Sequence, residues 1–87
     1  MLRYYVYVLK SRQDGKLYIG LTNDLKRRLQ EHARGNVKAT KGRRYLGLVH
    51  YEYFINRQDA AARERYLKSG YGHRQLQAIL KQTLASL

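Results

Sequence analysis

Along residues 4–9 the chain has a period of two, with Tyr4, Val6 and Val8 on one side and Tyr5, Tyr7 and Leu9 on the other. A β-branched and aromatic run of this kind predicts a strand over residues 3–10. The turn-rich SRQDG follows, and KLYIGL then alternates again, with Leu17, Ile19 and Leu21 against Lys16, Tyr18 and Gly20. The pair reads as a β-hairpin whose leucine and isoleucine face is buried. Its register stays open: a six-residue KSRQDG connection sets Tyr7 opposite Tyr18, whereas a two-residue Asp-Gly turn keeps both on one face but slides them apart.

From residue 22 the period lengthens. Thr22 and Asn23 supply capping side chains, Asp24 suits a first turn, and a helix is expected to about Arg34, with Gly35 ending it. Stepping about 100° per residue puts Leu25, Leu29 and Ala33 on one face and Arg27, Glu31 and Arg34 on the opposite one. Arg27 is therefore read as a solvated arginine paired with Glu31. Arg28 and His32 share one edge of the apolar stripe, four residues apart, where side chains lean over the sheet margin. NVKATKGRR reads as a basic loop, YLGLVHYEYF as a third strand, and NRQDAAARERYLK as an Asn-capped helix that SGYG breaks. Leu76, Ile79, Leu80, Thr83 and Leu87 recur at helical spacing in a terminal helix. The order ββαβαα predicts an α+β fold, a small three-stranded antiparallel sheet flanked by helices, in one domain over residues 1–87.

Eighty-seven residues leave no room for a deep core, so any site lies near the surface. Charge sharpens this. Lys and Arg number 18 against 6 acids, a net charge of +12, which calls for a polyanionic partner. Nucleic acid is the first choice and an anionic membrane surface the second. No segment approaches the ~20 apolar residues of a membrane span, and no signal-peptide cleavage pattern stands at the N-terminus, so a soluble cytoplasmic protein is expected. The absence of cysteine excludes thiolate chemistry and cysteine-held zinc.

Few residues have the position for chemistry. Gly20 leaves space beside the phenol of Tyr18, though tyrosines across a hairpin are also ordinary sheet stabilisers. Glu64 falls between Ala60 and Leu67, on the helix face suited to packing inward, where a carboxylate needs a cation or a metal; a plain salt bridge is the alternative. Of the remaining acids, Asp14 sits in a turn, Asp24 and Asp59 in first helical turns and Glu31 on a solvated face, while Glu52 lies in a strand whose facing the sequence leaves open. His50 and His73 read as ordinary partners, since neither has a second ligand at metal spacing. Lys38, Lys41, Arg43 and Arg44 lie in a loop free of acids, a composition suited to phosphate contact.

These residues fall into a known pattern. YVYV with Tyr7, YIG from Tyr18 to Gly20, LKRRLQEH with Arg28 and His32, and AARERYLK with Glu64 together resemble the GIY-YIG nuclease domain over nearly the whole chain, most of all its short stand-alone bacterial members. The first motif reads YVY, with Tyr5 in place of its glycine, and no asparagine follows Glu64, where larger members carry one. The resemblance implies phosphodiester hydrolysis with a divalent metal, Mg²⁺ or Mn²⁺, held by Glu64 as its one protein ligand. It also implies that Arg28 clamps the scissile phosphate, that Tyr7 acts as general base or orients the attacking water, and that Tyr18 positions Tyr7. Lys16 and Arg28 are the cations expected to favour the phenolate of Tyr7, and His32 is expected to shuttle a proton or contact phosphate.

Two functions of different class follow. One is a metal-dependent endonuclease acting on nucleic acid, with DNA the expected substrate, low sequence specificity, and the setting of DNA repair or recombination that the resemblance suggests. The other is a catalytically silent, basic nucleic-acid-binding module that keeps the fold. Retention of Arg28 and Glu64 favours the endonuclease, because a pure binder gains nothing evident from an acid in a cationic surface. With no attached specificity domain, charge, strand structure or a partner protein would select the substrate. Membrane attachment ranks last, for want of a long basic amphipathic helix with bulky apolar anchors.

Overall fold

The alternation of residues 4–9 becomes the central strand of a three-stranded antiparallel sheet. In the computed structural model, which describes residues 2–43 and 45–86, the elements are β1 (Tyr4–Ser11), β2 (Leu17–Thr22), α1 (Leu25–Ala33), β3 (Leu46–Phe54), α2 (Arg57–Lys68), α3 (Gly70–Ile79) and α4 (Lys81–Ala85). The sheet order is β2-β1-β3. Val6 and Val8 point to one face and form a core with Ala60 and Leu67 of α2, Leu76 of α3, and Leu80. Leu17, Ile19, Leu21, Val49 and Phe54 pack around it. The other face carries Tyr5, Tyr7 and Leu9, with α1 on that side.

The hairpin adopts neither of the two registers that the sequence left open. Leu9 pairs with Tyr18 and Tyr7 with Gly20, because the backbone N–H of Ser11 donates to the carbonyl of Lys16 (2.9 Å) and closes a four-residue turn of Arg12 to Gly15. Gly15 takes φ 74° in that turn, which its missing Cβ permits. Tyr7 and Tyr18 thus share a face but stand one pleat apart. On the other side of β1, Val8 pairs with His50 and Leu9 with Leu48. Val49 is the extra residue of a β-bulge, and it packs on the core.

Two local expectations are corrected. Asp24, not Thr22 or Asn23, caps α1: its carboxylate accepts from the Arg27 N–H at 3.1 Å, while Thr22 Oγ1 accepts from the Asp24 N–H. The single terminal helix is two, broken at Leu80, whose backbone (φ −106°, ψ 20°) leaves the helical region. Leu76 and Leu80 are buried, but Ile79 is exposed on the outer face. Leu87 lies outside the described residues. Ser69 ends α2 and caps α3, its hydroxyl accepting from the Gly72 N–H at 3.2 Å. A side chain at Gly72 would collide with the backbone of Tyr66 and Leu67, so this glycine sets how closely α3 follows α2.

Candidate active site

The helical edge that carries Arg28 and His32 meets β1 and β2 at Tyr7. Gly20 faces Tyr7 across the ladder, and the phenol lies over that glycine, in space that any larger residue would occupy. The ring is almost wholly buried, 2% exposed. Its hydroxyl lies 2.8 Å from His32 Nε2 and accepts from Arg28 Nε at 3.4 Å. Arg28 is held from its other side by Glu31, with Nη1 to Oε1 at 3.0 Å. Glu31 therefore pairs with Arg28, while the expected partner, Arg27, turns its guanidinium to Asn23. The bond to the Tyr7 oxygen, and then the one to Glu31, hold the Arg28 pKa above its ordinary value, so its positive charge is secure.

His32 is buried and bonded through both ring nitrogens, with Nδ1 at 2.7 Å from the hydroxyl of Thr40. Burial, and then the charge of Arg28, lower its pKa below the ordinary 6.5, against a smaller upward pull from Glu31. The imidazole is therefore neutral at pH 7, with one nitrogen donating and the other accepting. Arg28 has no acceptor atoms, so the Tyr7 oxygen accepts from it. The assignment in which the Tyr7 hydroxyl donates to His32 Nε2 and His32 Nδ1–H donates to Thr40 gives each of these groups a partner.

Sequence reasoning missed Thr40. It lies in a loop without hydrophobic period, yet it is 1% exposed and, with Val37, forms the buried underside of that loop. The one available signal is the pair Val37 and Thr40, which interrupts an otherwise basic and polar run. The loop's cations divide. Lys38 and Lys41 are exposed, whereas Arg43 is engaged, its Nε donating to the Tyr18 hydroxyl at 3.0 Å and its Nη1 pairing with Asp14 at 3.1 Å. The acid that the loop lacks thus comes from the hairpin turn, where the Lys16 backbone N–H, above all, keeps the Asp14 pKa below its ordinary value. Arg44 lies outside the described residues.

A cavity of about 420 Å³ opens beside this cluster. Tyr7, Tyr18, Gly20, Arg28, His32 and Glu64 all line it, although they come from β1, β2, α1 and α2. The Glu64 side chain is 22% exposed, and its Oε2 pairs with Lys68 one turn on at 3.2 Å. This ion pair coexists with the cavity position. His73, read from sequence as an ordinary partner, also lines the cavity. The structure does not bring Lys16 there. It shares a face with Tyr18, but it is exposed at the turn end of β2, and four residues of strand, about 13 Å, separate it from Gly20. The cation next to the Tyr7 oxygen is Arg28.

Among the described residues no group of three or more His, Asp or Glu side chains could enclose a metal ion. One carboxylate lining an open cavity fits a different kind of site. It suits a hard divalent cation that keeps most of its waters and shares the rest of its shell with phosphate oxygens, the habit of Mg²⁺. No helix among the described residues is long and apolar enough to cross a membrane.

Comparison with known proteins places the chain in a family. Residues 3–77 match the GIY-YIG catalytic domain. A UPF0213 protein of Clostridium perfringens is 40% identical over 81 residues, 92% of this chain and 86% of the relative. One from Haloquadratum walsbyi is 43% identical over 67 residues, 76% of this chain and 74% of the relative. The solution NMR structure of a UPF0213 protein from Bacillus halodurans superposes with a TM-score of 0.58 at 34% identity, covering 90% of this chain and 85% of that one. The chain belongs to the GIY-YIG family, a family of nuclease type, and its relatives within it are UPF0213 proteins.

Proposed function

We propose that this protein is a metal-dependent endonuclease that hydrolyses phosphodiester bonds in nucleic acid, with DNA as its substrate, low sequence specificity and a place in DNA repair or recombination. The observation that carries the reading is the Tyr7 hydroxyl, fixed between a neutral imidazole and a guanidinium in a cavity that also holds a carboxylate. The +12 charge supplies the general attraction for a polyanion.

In this mechanism the Tyr7 oxygen removes a proton from the attacking water as its own proton passes to His32 Nε2, the water oxygen bonds to phosphorus, the P–O bond to the leaving sugar oxygen breaks, and that oxygen takes a proton from solvent. The imidazolium so formed keeps its Nδ1–H on Thr40. Arg28, bonded to Glu31 through Nη1 and to Tyr7 through Nε, uses Nη2 to hold a phosphate oxygen and offset the charge that grows there in the transition state. Tyr18, tethered by Arg43, borders the cavity and positions the substrate beside Tyr7. Glu64 would hold Mg²⁺ or Mn²⁺, which when bound supplies Lewis-acid polarisation of the phosphate. Lys38 and Lys41 add phosphate contacts beside the site.

The test is cleavage of plasmid, linear duplex, single-stranded and branched DNA, and of RNA, with Mg²⁺ or Mn²⁺, by the wild type, Glu64→Ala and Arg28→Ala. Metal-dependent cutting that both variants lose, with circular dichroism unchanged, supports the endonuclease. Binding without cutting favours the silent module, in which Lys68 simply neutralises Glu64.

A further inference from the structure

On the face of the sheet that carries Tyr7, the strand on the far side of β1 presents a second group of tyrosines that the cleavage chemistry does not use. Tyr51 pairs with Tyr7 in the ladder and Tyr53 with Tyr5. Tyr51 and Tyr53 are 52% and 46% exposed, and both rings lean on Tyr5, with centroids 6.1 Å and 5.6 Å away and planes inclined at 61° and 57°. Half-exposed rings braced on one another keep their faces in fixed positions at little entropic cost. β3 is an edge strand, and α1 does not cover this part of it.

The surroundings identify what such rings would hold. Tyr5 and Tyr51 form one wall of a groove of about 730 Å³, whose other wall is α1 with Leu25 and Leu29 and whose rim bears Arg3 and Lys26. The one acid on the groove, Asp24, is committed to capping α1. The groove shares Tyr4 and Asn23 with a second hollow lined by Arg27, Arg28 and Arg57 and by Glu31, which Arg28 pairs, and that hollow shares Leu21 and Arg28 with the cavity of Tyr7 and Glu64. Between the tyrosines and the candidate active site the cations Arg3, Lys26, Arg27, Arg28 and Arg57 thus outnumber the acids, Asp24 and Glu31, each of which already has a partner. A second copy of the chain would bring another +12 charge to the same surface, whereas a polyanion with exposed planar rings matches both the cations and the tyrosines.

We propose that Tyr5, Tyr51 and Tyr53 form a stacking platform for unpaired bases, so that the preferred substrate carries a single-stranded segment next to the phosphodiester to be cut. Duplex bases are stacked on one another and cannot reach the rings, while an unpaired base presents its π-face whatever the sequence. Such a platform would select by strand structure and not by base sequence. The identity of the ligand rests on the nucleic-acid reading above.

The experiment measures binding of the whole protein, in EDTA so that nothing is cut, to a fluorescent oligothymidylate, to an abasic strand with the same number of phosphates, and to a duplex. The wild type is expected to bind oligothymidylate about tenfold or more tighter than the abasic strand. Tyr51→Ala/Tyr53→Ala should lose that preference while its affinity for the abasic strand and the duplex is unchanged, and Tyr51→Phe/Tyr53→Phe should keep it. Equal wild-type affinity for the base-bearing and abasic strands overturns the platform and leaves the endonuclease standing. So does an alanine variant that keeps the preference, or one that turns a dimer into a monomer in sedimentation without changing binding. Failure to bind any of the three probes at low salt overturns the nucleic-acid reading itself, and the platform with it.

Discussion

Tyr7 and Gly20 are ladder partners, and the phenol of one occupies the space over the other where a side chain would stand. The smallness of Gly20 is thus a condition for the position of the hydroxyl that meets His32 and Arg28. A methyl group at residue 20 would meet the end of the Tyr7 ring. With Tyr7 2% exposed and bonded at its tip, the ring has little room to swing aside.

Gly20→Ala is therefore expected to destabilise the fold by about 1–3 kcal/mol, the usual result of overpacking, and to lower cleavage by more than that loss explains, because the phenol is pushed off its two partners. Urea unfolding and single-turnover cleavage, both measured well below the unfolding midpoint, separate the two effects. A variant that is destabilised but cuts at the wild-type rate would show that the phenol's position is immaterial.

Thr40 fixes the far side of His32, and its contribution is separable from packing. Thr40→Val keeps the shape but removes the acceptor of the Nδ1 proton, which leaves a buried donor unpaired at a cost of about 1–3 kcal/mol. It also frees the imidazole to turn. Cleavage at saturating substrate should fall about ten- to a hundredfold, less than the loss of a complete acid–base group, with KM little changed. Thr40→Ser should restore most of it. Equal rates for the valine and serine variants would reduce Thr40 to a packing residue.

The legible and illegible parts of this site differ in how local their causes are. The α1 edge that carries Arg28 and His32 follows from helical period, and the common face of Tyr7 and Tyr18 from strand parity; both are properties of short segments. The offset between those tyrosines depends on which hydrogen bond closes the turn, and Ser11 with Lys16 decides it. Glu31 chooses Arg28 over Arg27 because Arg28 is already drawn inward by Tyr7. Thr40 has no period to mark it, since only the packing of its loop against α1 buries it. Tyr51 and Tyr53 read as ordinary strand residues until the sheet order makes β3 an edge.

Glu52 belongs to a charged cluster that does not line the cavity of Tyr7 and Glu64. On the sheet face opposite Tyr7 it accepts two hydrogen bonds from Arg63, at 2.8 and 3.0 Å, and lies 2.9 Å from His50 Nε2. Burial by itself would raise its pKa, but the bonds from Arg63 and His50 outweigh that and bring it below the ordinary 4.5. Glu52→Gln should cost about 1.5–3 kcal/mol, the worth of hydrogen bonds to a charged group, and leave the cleavage rate of the folded protein unchanged. The folded pKa is the lower one, so this stability is present above pH 4.5 and is lost as pH falls through the folded value. Urea unfolding at neutral and acid pH should show the wild-type advantage over Glu52→Gln shrink on acidification; an advantage that persists would remove ionisation from the account.

The window in which His32 acts begins higher, at the ordinary 6.5 of the unfolded chain. Its folded pKa lies below the ordinary 6.5, chiefly because it is buried and secondarily because Arg28 is adjacent. Between 6.5 and that lower value the unfolded chain binds a proton that the folded chain does not, so stability rises with pH across the window. The contribution is complete above 6.5, declines as pH falls, and levels off below the folded pKa. The stability difference between the wild type and His32→Gln should thus shrink from about pH 7.5 to about pH 5. Groups present in both proteins cancel from that difference where they do not touch residue 32, and Glu52, held below the ordinary 4.5, changes charge at more acid pH. The same proton blocks Nε2 as the acceptor for Tyr7, so single-turnover cleavage by the wild type should fall along an acid limb governed by the folded pKa, below 6.5. Cleavage with no acid limb, alongside the expected stability profile, would assign His32 to holding Tyr7 in place and pass the proton directly from Tyr7 to solvent.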